Sequence, residues 1–151
     1  MKISEFLSPT NILDELTGSN PRDVLAELCR PVAIDGLDTQ LLVESLLERE
    51  RLASTGIGDG VAIPHGRVPG LSKLRASVGR SKMGIDFNAI DSRPSYLFVA
   101  LFAPAAGPGI HLHALSRISR IFRNQAFRDS LMRARDAAEI FELIEAEDTR
   151  T

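Results

Sequence analysis

A chain of 151 residues with 44% hydrophobic and 25% charged side chains has the make-up of one ordinary globular domain, long enough to bury its own core. Its single cysteine, Cys29, excludes an internal disulfide, and no apolar run nears the roughly 18 residues that a membrane span needs. The short, mixed N-terminus carries Glu5 and lacks the pattern of a secretion signal, so we expect a cytoplasmic protein. Net charge is −2, but residues 1–50 hold ten acidic and four basic side chains. Residues 111–135 hold six arginines against one acid, and residues 136–150 hold six acids and one arginine. Such zoning fits an oriented docking surface, or simply solvated helix faces. The slight acidity and the presence of only Phe122 and Phe127 in the arginine zone argue against nucleic-acid binding.

Asn20-Pro21 reads as an N-cap followed by proline at the first helical position. Val24, Leu25, Leu28 and Cys29 then recur at helical spacing as far as Pro31, which makes Cys29 a buried small hydrophobe. Asp38 or Thr39 caps a second helix that carries Leu42, Leu46 and Leu47 and ends near Leu52. Residues 61–64 read as a short strand, and period-2 spacing from Ala76 and Val78 towards Arg80 predicts another over 74–82. The unbroken apolar run 96–102 predicts a strand covered on both faces. Residues 104–110, rich in glycine and proline, are expected to be loop, and helices are predicted over 111–123, 125–134 and 136–146. This order gives an α/β sandwich, a central mixed sheet flanked by helices on both faces.

Chemistry concentrates in Ser54-Thr55-Gly56-Ile57-Gly58-Asp59-Gly60-Val61-Ala62-Ile63-Pro64-His65-Gly66-Arg67. Pro64 stiffens the backbone before His65, and Gly66 permits a close approach after it. In the helix expected at 111, His111 shares the apolar face of Leu115, Ile118 and Phe122 and should point inward. His113 falls with Arg117 and Arg120 on a charged face and should point outward. Arg49, following Leu42 and Leu46 at helical spacing, lies on a buried stripe. A guanidinium there needs an anionic partner, either a structural carboxylate or a phosphoryl group. Asp59 either orients an imidazole or caps a turn between glycines.

No metal site is expected, because His111-x-His113 diverges on a helix and no cysteine or Glu-x-x-His accompanies it. The glycines match neither a dinucleotide fingerprint nor a P-loop, and no Gly-x-Ser-x-Gly is present. A nucleophilic histidine remains, needing its neutral form and nearby donors for the phosphoryl anion. His65, Arg49 and His111 supply that set.

The fourteen-residue stretch ending in Pro-His65-Gly-Arg resembles the active-site signature of enzyme IIA of the bacterial phosphotransferase system, fructose/mannitol class. The match looks closest to the nitrogen-regulatory branch. The likeness extends to Leu-Leu-Glu-Arg49-Glu-Arg, Phe87-Asn-Ala-Ile-Asp91, the strand at 96–102 and His111-Leu-His-Ala-Leu. It implies one EIIA type-2 domain over 1–151 with that family's sandwich. It further implies His65 as phosphoryl acceptor at Nε2, His111 as the second active-site histidine and Arg49 as the phosphate-steadying group. No cofactor is implied. The expected donor is a histidine-containing phosphocarrier protein (HPr- or NPr-like), charged from phosphoenolpyruvate by enzyme I. The chain carries neither a IIB segment nor membrane spans, which favours a regulatory carrier over a sugar-transport component. Expected targets are regulatory proteins such as sensor kinases or potassium transporters. A binding module of the same fold that is never phosphorylated is the runner-up.

Overall fold

The computed structural model of the protein describes residues 1–35, 37–106 and 109–151. In chain order the elements are β1 (Leu7–Leu13), α1 (Pro21–Cys29), α2 (Thr39–Leu52), β2 (Gly56–Gly58), β3 (Val61–Ala62), β4 (His65–Val68), β5 (Arg75–Ile85) and β6 (Ser95–Pro104). Three helices follow: α3 (Ile110–Phe122), α4 (Gln125–Arg133) and α5 (Ala137–Arg150). Short 3-10 turns span Ile3–Glu5 and Arg30–Asp35. Of the loop expected over 104–110, residues 107 and 108 lie outside the described residues.

The helix starts follow their sequence signals. Asn20, Asp38, Asn124 and Asp136 each accept a backbone N–H from the first turn of the helix they precede. The strands form one mixed sheet in the order β1-β5-β6-β3-β2, with β4 also paired to β6. β6 runs antiparallel to β5 and parallel to β3 and β4. Its apolar run is unbroken because both faces are covered. Leu97, Val99 and Leu101 pack with Ile118, Phe122, Leu131 and Ile144, the α3–α5 side. Phe98, Ala100 and Phe102 pack with Leu25, Leu28, Leu42 and Leu46, the α1–α2 side. The expected sandwich is thus present, with β6 at its centre.

Three expectations on boundaries are corrected. The strand expected at 61–64 continues past Pro64: β3 and β4 lie end to end along β6 in one register, Val61 opposite Leu97 and His65 opposite Leu101. Pro64 donates no hydrogen bond, but its carbonyl accepts from Leu101 at 2.9 Å, so the ladder survives the interruption. The strand expected at 74–82 reaches Ile85, and the last helix runs to Arg150. β1 is an addition. Pro9, three exposed residues and a register shift between Leu7 and Ile12 hide its period-2 pattern.

Arg80, expected as a strand residue, is only 1% exposed and is compensated by carbonyls. Its guanidinium donates to Leu131 O at 2.9 Å and Ala134 O at 2.7 Å at the end of α4, and to Asp14 O at 3.0 Å. A cation satisfies the last carbonyls of a helix and the negative end of its dipole. Arg80→Met keeps the bulk but strips the donors, and should cost about 3 kcal/mol in urea unfolding. A loss below about 1 kcal/mol would show that water replaces the guanidinium.

Candidate functional site

β4 stands at the sheet edge, and its two faces meet different neighbours. Gly66 lies against α2 so closely that a Cβ there would sit 2.6 Å from Ser45 O. Val68, on the same face, is buried among α1 and α2 residues. His65 and Arg67 therefore leave the strand on the other side, towards the start of α3. α2, β4 and α3 enclose a cleft of about 610 Å³ lined by His65, Arg49, His111, Arg67, Ser45 and Glu48, among others. The three residues singled out in the sequence are brought together here.

His65 is half-buried, and its Nδ1 lies 2.8 Å from the carbonyl oxygen of Ile63. A carbonyl oxygen only accepts, so in the neutral ring Nδ1 must carry the proton and Nε2 the free lone pair. Burial holds the His65 imidazole below its ordinary value of 6.5, and the charges of Arg49 and His111 add to that. The Ile63 hydrogen bond opposes the shift without overcoming it. His111, partly exposed at the mouth of α3, is also lowered, first by desolvation and then by Arg67. Both rings are therefore neutral at physiological pH.

A midpoint below 6.5 is expected for His65 in an NMR titration of the ring protons; a midpoint at or above 6.5 contradicts the geometry. The stability sign follows. Below about 6.5 the unfolded chain binds protons that the folded chain refuses, so acid lowers stability there, while above that value these two groups contribute nothing.

Arg49 ends the stripe begun by the fully buried Leu42 and Leu46, but its guanidinium emerges into the cleft. It donates to Ala53 O at 2.8 Å and makes no ion pair among the described residues. No carboxylate among these residues forms an ion pair with it, although its charge acts on the neighbouring Glu50, and the fork can face an anion in the cleft. His113 is exposed, as its spacing requires. His111 faces the cleft rather than the core that receives Ile118 and Phe122. Cys29 is fully buried and its thiol is pushed up to about 12, which leaves it inert.

Of the two readings of Asp59, the structure shows the turn: it sits between the glycines at φ 58°, its N–H donates to Asp91 Oδ2 at 3.1 Å, and its hydrogen bond is not to His65. The imidazole is oriented by a backbone carbonyl instead. Arg117 is not on a free charged face. Its guanidinium pairs with Asp148, itself 2% exposed, and so ties α3 to α5. Arg128 caps α3 through Phe122 O and Arg123 O, and Arg135 pairs with Glu139. Arg117 and Arg128 therefore hold helices together, while Arg135 only fastens the start of α5. Glu50 escaped sequence reasoning: it accepts Thr55 N–H and Oγ–H, fastening the glycine-rich loop to the end of α2 beside Arg49. No residue spacing signals this, since Thr55 lies beyond the end of α2.

Among the described residues, no group of three or more His, Cys, Asp or Glu could hold a metal ion. No helix among them is long and apolar enough to cross a membrane. A family model described as the phosphoenolpyruvate-dependent sugar phosphotransferase system, EIIA 2, matches residues 5–147. The chain belongs to this EIIA type-2 family. It is 37% identical over 145 residues to a nitrogen regulatory protein of Bradyrhizobium diazoefficiens, covering 95% of each chain. It is also 32% identical over 150 residues to the fructose-specific EIIABC component of Bacillus subtilis, covering 98% of this chain and 24% of that protein. The crystal structure of nitrogen regulatory protein IIA-Ntr from Neisseria meningitidis matches with a TM-score of 0.88 at 31% identity, covering 94% of this chain and 98% of that one. The family and sandwich implied by the signature are both borne out. EIIA proteins are phosphoryl carriers in general.

Proposed function

We propose that this EIIA protein is a cytoplasmic phosphohistidine carrier of the nitrogen-regulatory type. It accepts a phosphoryl group on Nε2 of His65 and signals to partner proteins by its charged or uncharged state. The observation that carries the reading is the Ile63 carbonyl on Nδ1 of His65, which aims an unprotonated Nε2 into a cleft shared with Arg49 and His111. Transfer is written as an in-line exchange. The P–N bond on the donor histidine breaks, its electron pair stays on the donor ring, and the Nε2 lone pair of His65 forms the new bond. The Nδ1 proton of His65 stays on the ring, donated to the Ile63 carbonyl, and the donor ring leaves neutral because its other nitrogen already carries a proton, so the step balances without proton transfer between the proteins. Arg49 and His111 donate to the phosphoryl oxygens as the charge moves across.

The rim supports a protein donor over a free small anion. Leu52 and Leu41, which line this charged cleft, are 81% and 37% exposed, an apolar fringe that suits a docked surface. The donor we infer is a phosphorylated histidine carrier protein fed by enzyme I, and the targets are regulatory proteins of the sensor-kinase or potassium-transporter kind. Near full-length similarity to nitrogen regulatory proteins supports this branch.

The test is intact mass after incubation with phosphoenolpyruvate, enzyme I and the carrier. One acid-labile phosphoryl group is expected. No uptake, with the donors shown to be active, would favour the binding module that is never phosphorylated. Similarity to the Bacillus subtilis fructose component favours a second reading, a sugar-transport IIA. Onward transfer to a fructose-class IIB domain would support that reading, whereas a nitrogen-type carrier should not show it.

A further inference from the structure

The cleft holds a second guanidinium that the transfer scheme leaves without a task. Arg67 is two residues beyond His65 on β4, so the two side chains leave the strand on one face. Their backbone is held firmly, His65 opposite Leu101 and Arg67 opposite Ala103 on the buried strand β6. Arg67 lines the same cleft as His65, Arg49 and His111, and it is exposed, where an incoming group would lie. The two arginines come from different elements and act on different histidines: Arg49 on His65, Arg67 on His111.

A phosphoryl group on an imidazole nitrogen spreads its negative charge over three oxygens. One planar fork engages at most two of them from one direction. We propose that Arg67 is a second phosphoryl-binding residue, donating to the oxygens of phosphorylated His65 from the β4 side while Arg49 reaches from α2. This rests on His65 being the acceptor. Arg67 would then lower the free energy of the charged protein itself, beyond any help it gives to docking.

That distinction sets the experiment. The equilibrium constant for phosphoryl exchange between the carrier and this chain compares the free proteins, so a residue that only assists docking cannot move it. It is measured by intact mass at several carrier ratios for wild type, Arg67→Gln and Arg67→Lys, with thermal unfolding followed in parallel. Arg67→Gln should shift the equilibrium about tenfold towards the carrier, the effect of losing one charge-assisted hydrogen bond. Arg67→Lys, which keeps the charge and loses the fork, should fall between it and wild type. If Arg67→Gln does not fold, an intermediate shift in the lysine variant carries the proposal. An unchanged equilibrium in a folded variant overturns it, even if transfer slows. Failure of the wild type to take up phosphoryl is a separate result that removes the acceptor reading itself.

Discussion

His65→Ala should reduce phosphoryl uptake by at least about a thousandfold, because it removes the attacking nitrogen rather than a group that assists it. The fold should survive. His65 is half-buried at the start of β4, and its side chain contributes one hydrogen bond, to Ile63 O, worth about 1 kcal/mol. Intact mass after incubation with charged carrier, beside a urea unfolding curve, separates the two effects. Uptake by the variant at more than a few per cent of the wild-type level would move the acceptor to His111 or His113. His111→Ala should slow transfer without abolishing it, since that ring only donates to the moving group.

Gly66→Ala should damage both stability and transfer, although the added methyl carries no charge. Its Cβ would stand 2.6 Å from Ser45 O and 2.9 Å from Ser45 C, both backbone atoms that cannot swing aside. Either β4 or α2 must shift, at a cost of about 2–3 kcal/mol. Arg49 is one turn beyond Ser45 on α2, so it moves with the helix, while His65 is the residue next to the clash. A displacement near 1 Å between nucleophile and anion donor can slow a reaction by about a hundredfold. A loss of transfer well beyond what the fall in stability explains is therefore expected. A variant as stable and as fast as wild type would show that the close approach of α2 to β4 is not what positions the site.

Much of this site was legible because its parts announce themselves by residue type and spacing. Leu42, Leu46 and Arg49 fixed a helix face, and His111 and His113 had to diverge on theirs; in the structure Arg49 and His111 reach the same cleft while His113 is exposed. The double-faced core was legible in the run 96–102, since only a strand with both sides covered is apolar at every position. What escaped notice was backbone chemistry and tertiary pairing. The group that orients His65 is a carbonyl, which every residue possesses, so nothing in the sequence could favour Ile63 O over Asp59. Arg117 looked solvated because its partner, Asp148, is more than two dozen residues away on α5. β1 was hidden by its irregular pairing with β5, and the extension past Pro64 by a residue that ordinarily ends a strand.

The ring nitrogen that carries the phosphorus decides whether the Ile63 carbonyl sets the chemistry of His65. The decisive measurement is NMR of protein labelled with ¹⁵N-histidine, recorded before and after phosphorylation by the carrier. We predict that His65 starts with its proton on Nδ1, that phosphorus coupling then appears at Nε2 of His65 alone, and that the Nδ1 proton is retained. Phosphorus on Nδ1, or on His111 or His113, would contradict the orientation that the Ile63 carbonyl gives to the ring.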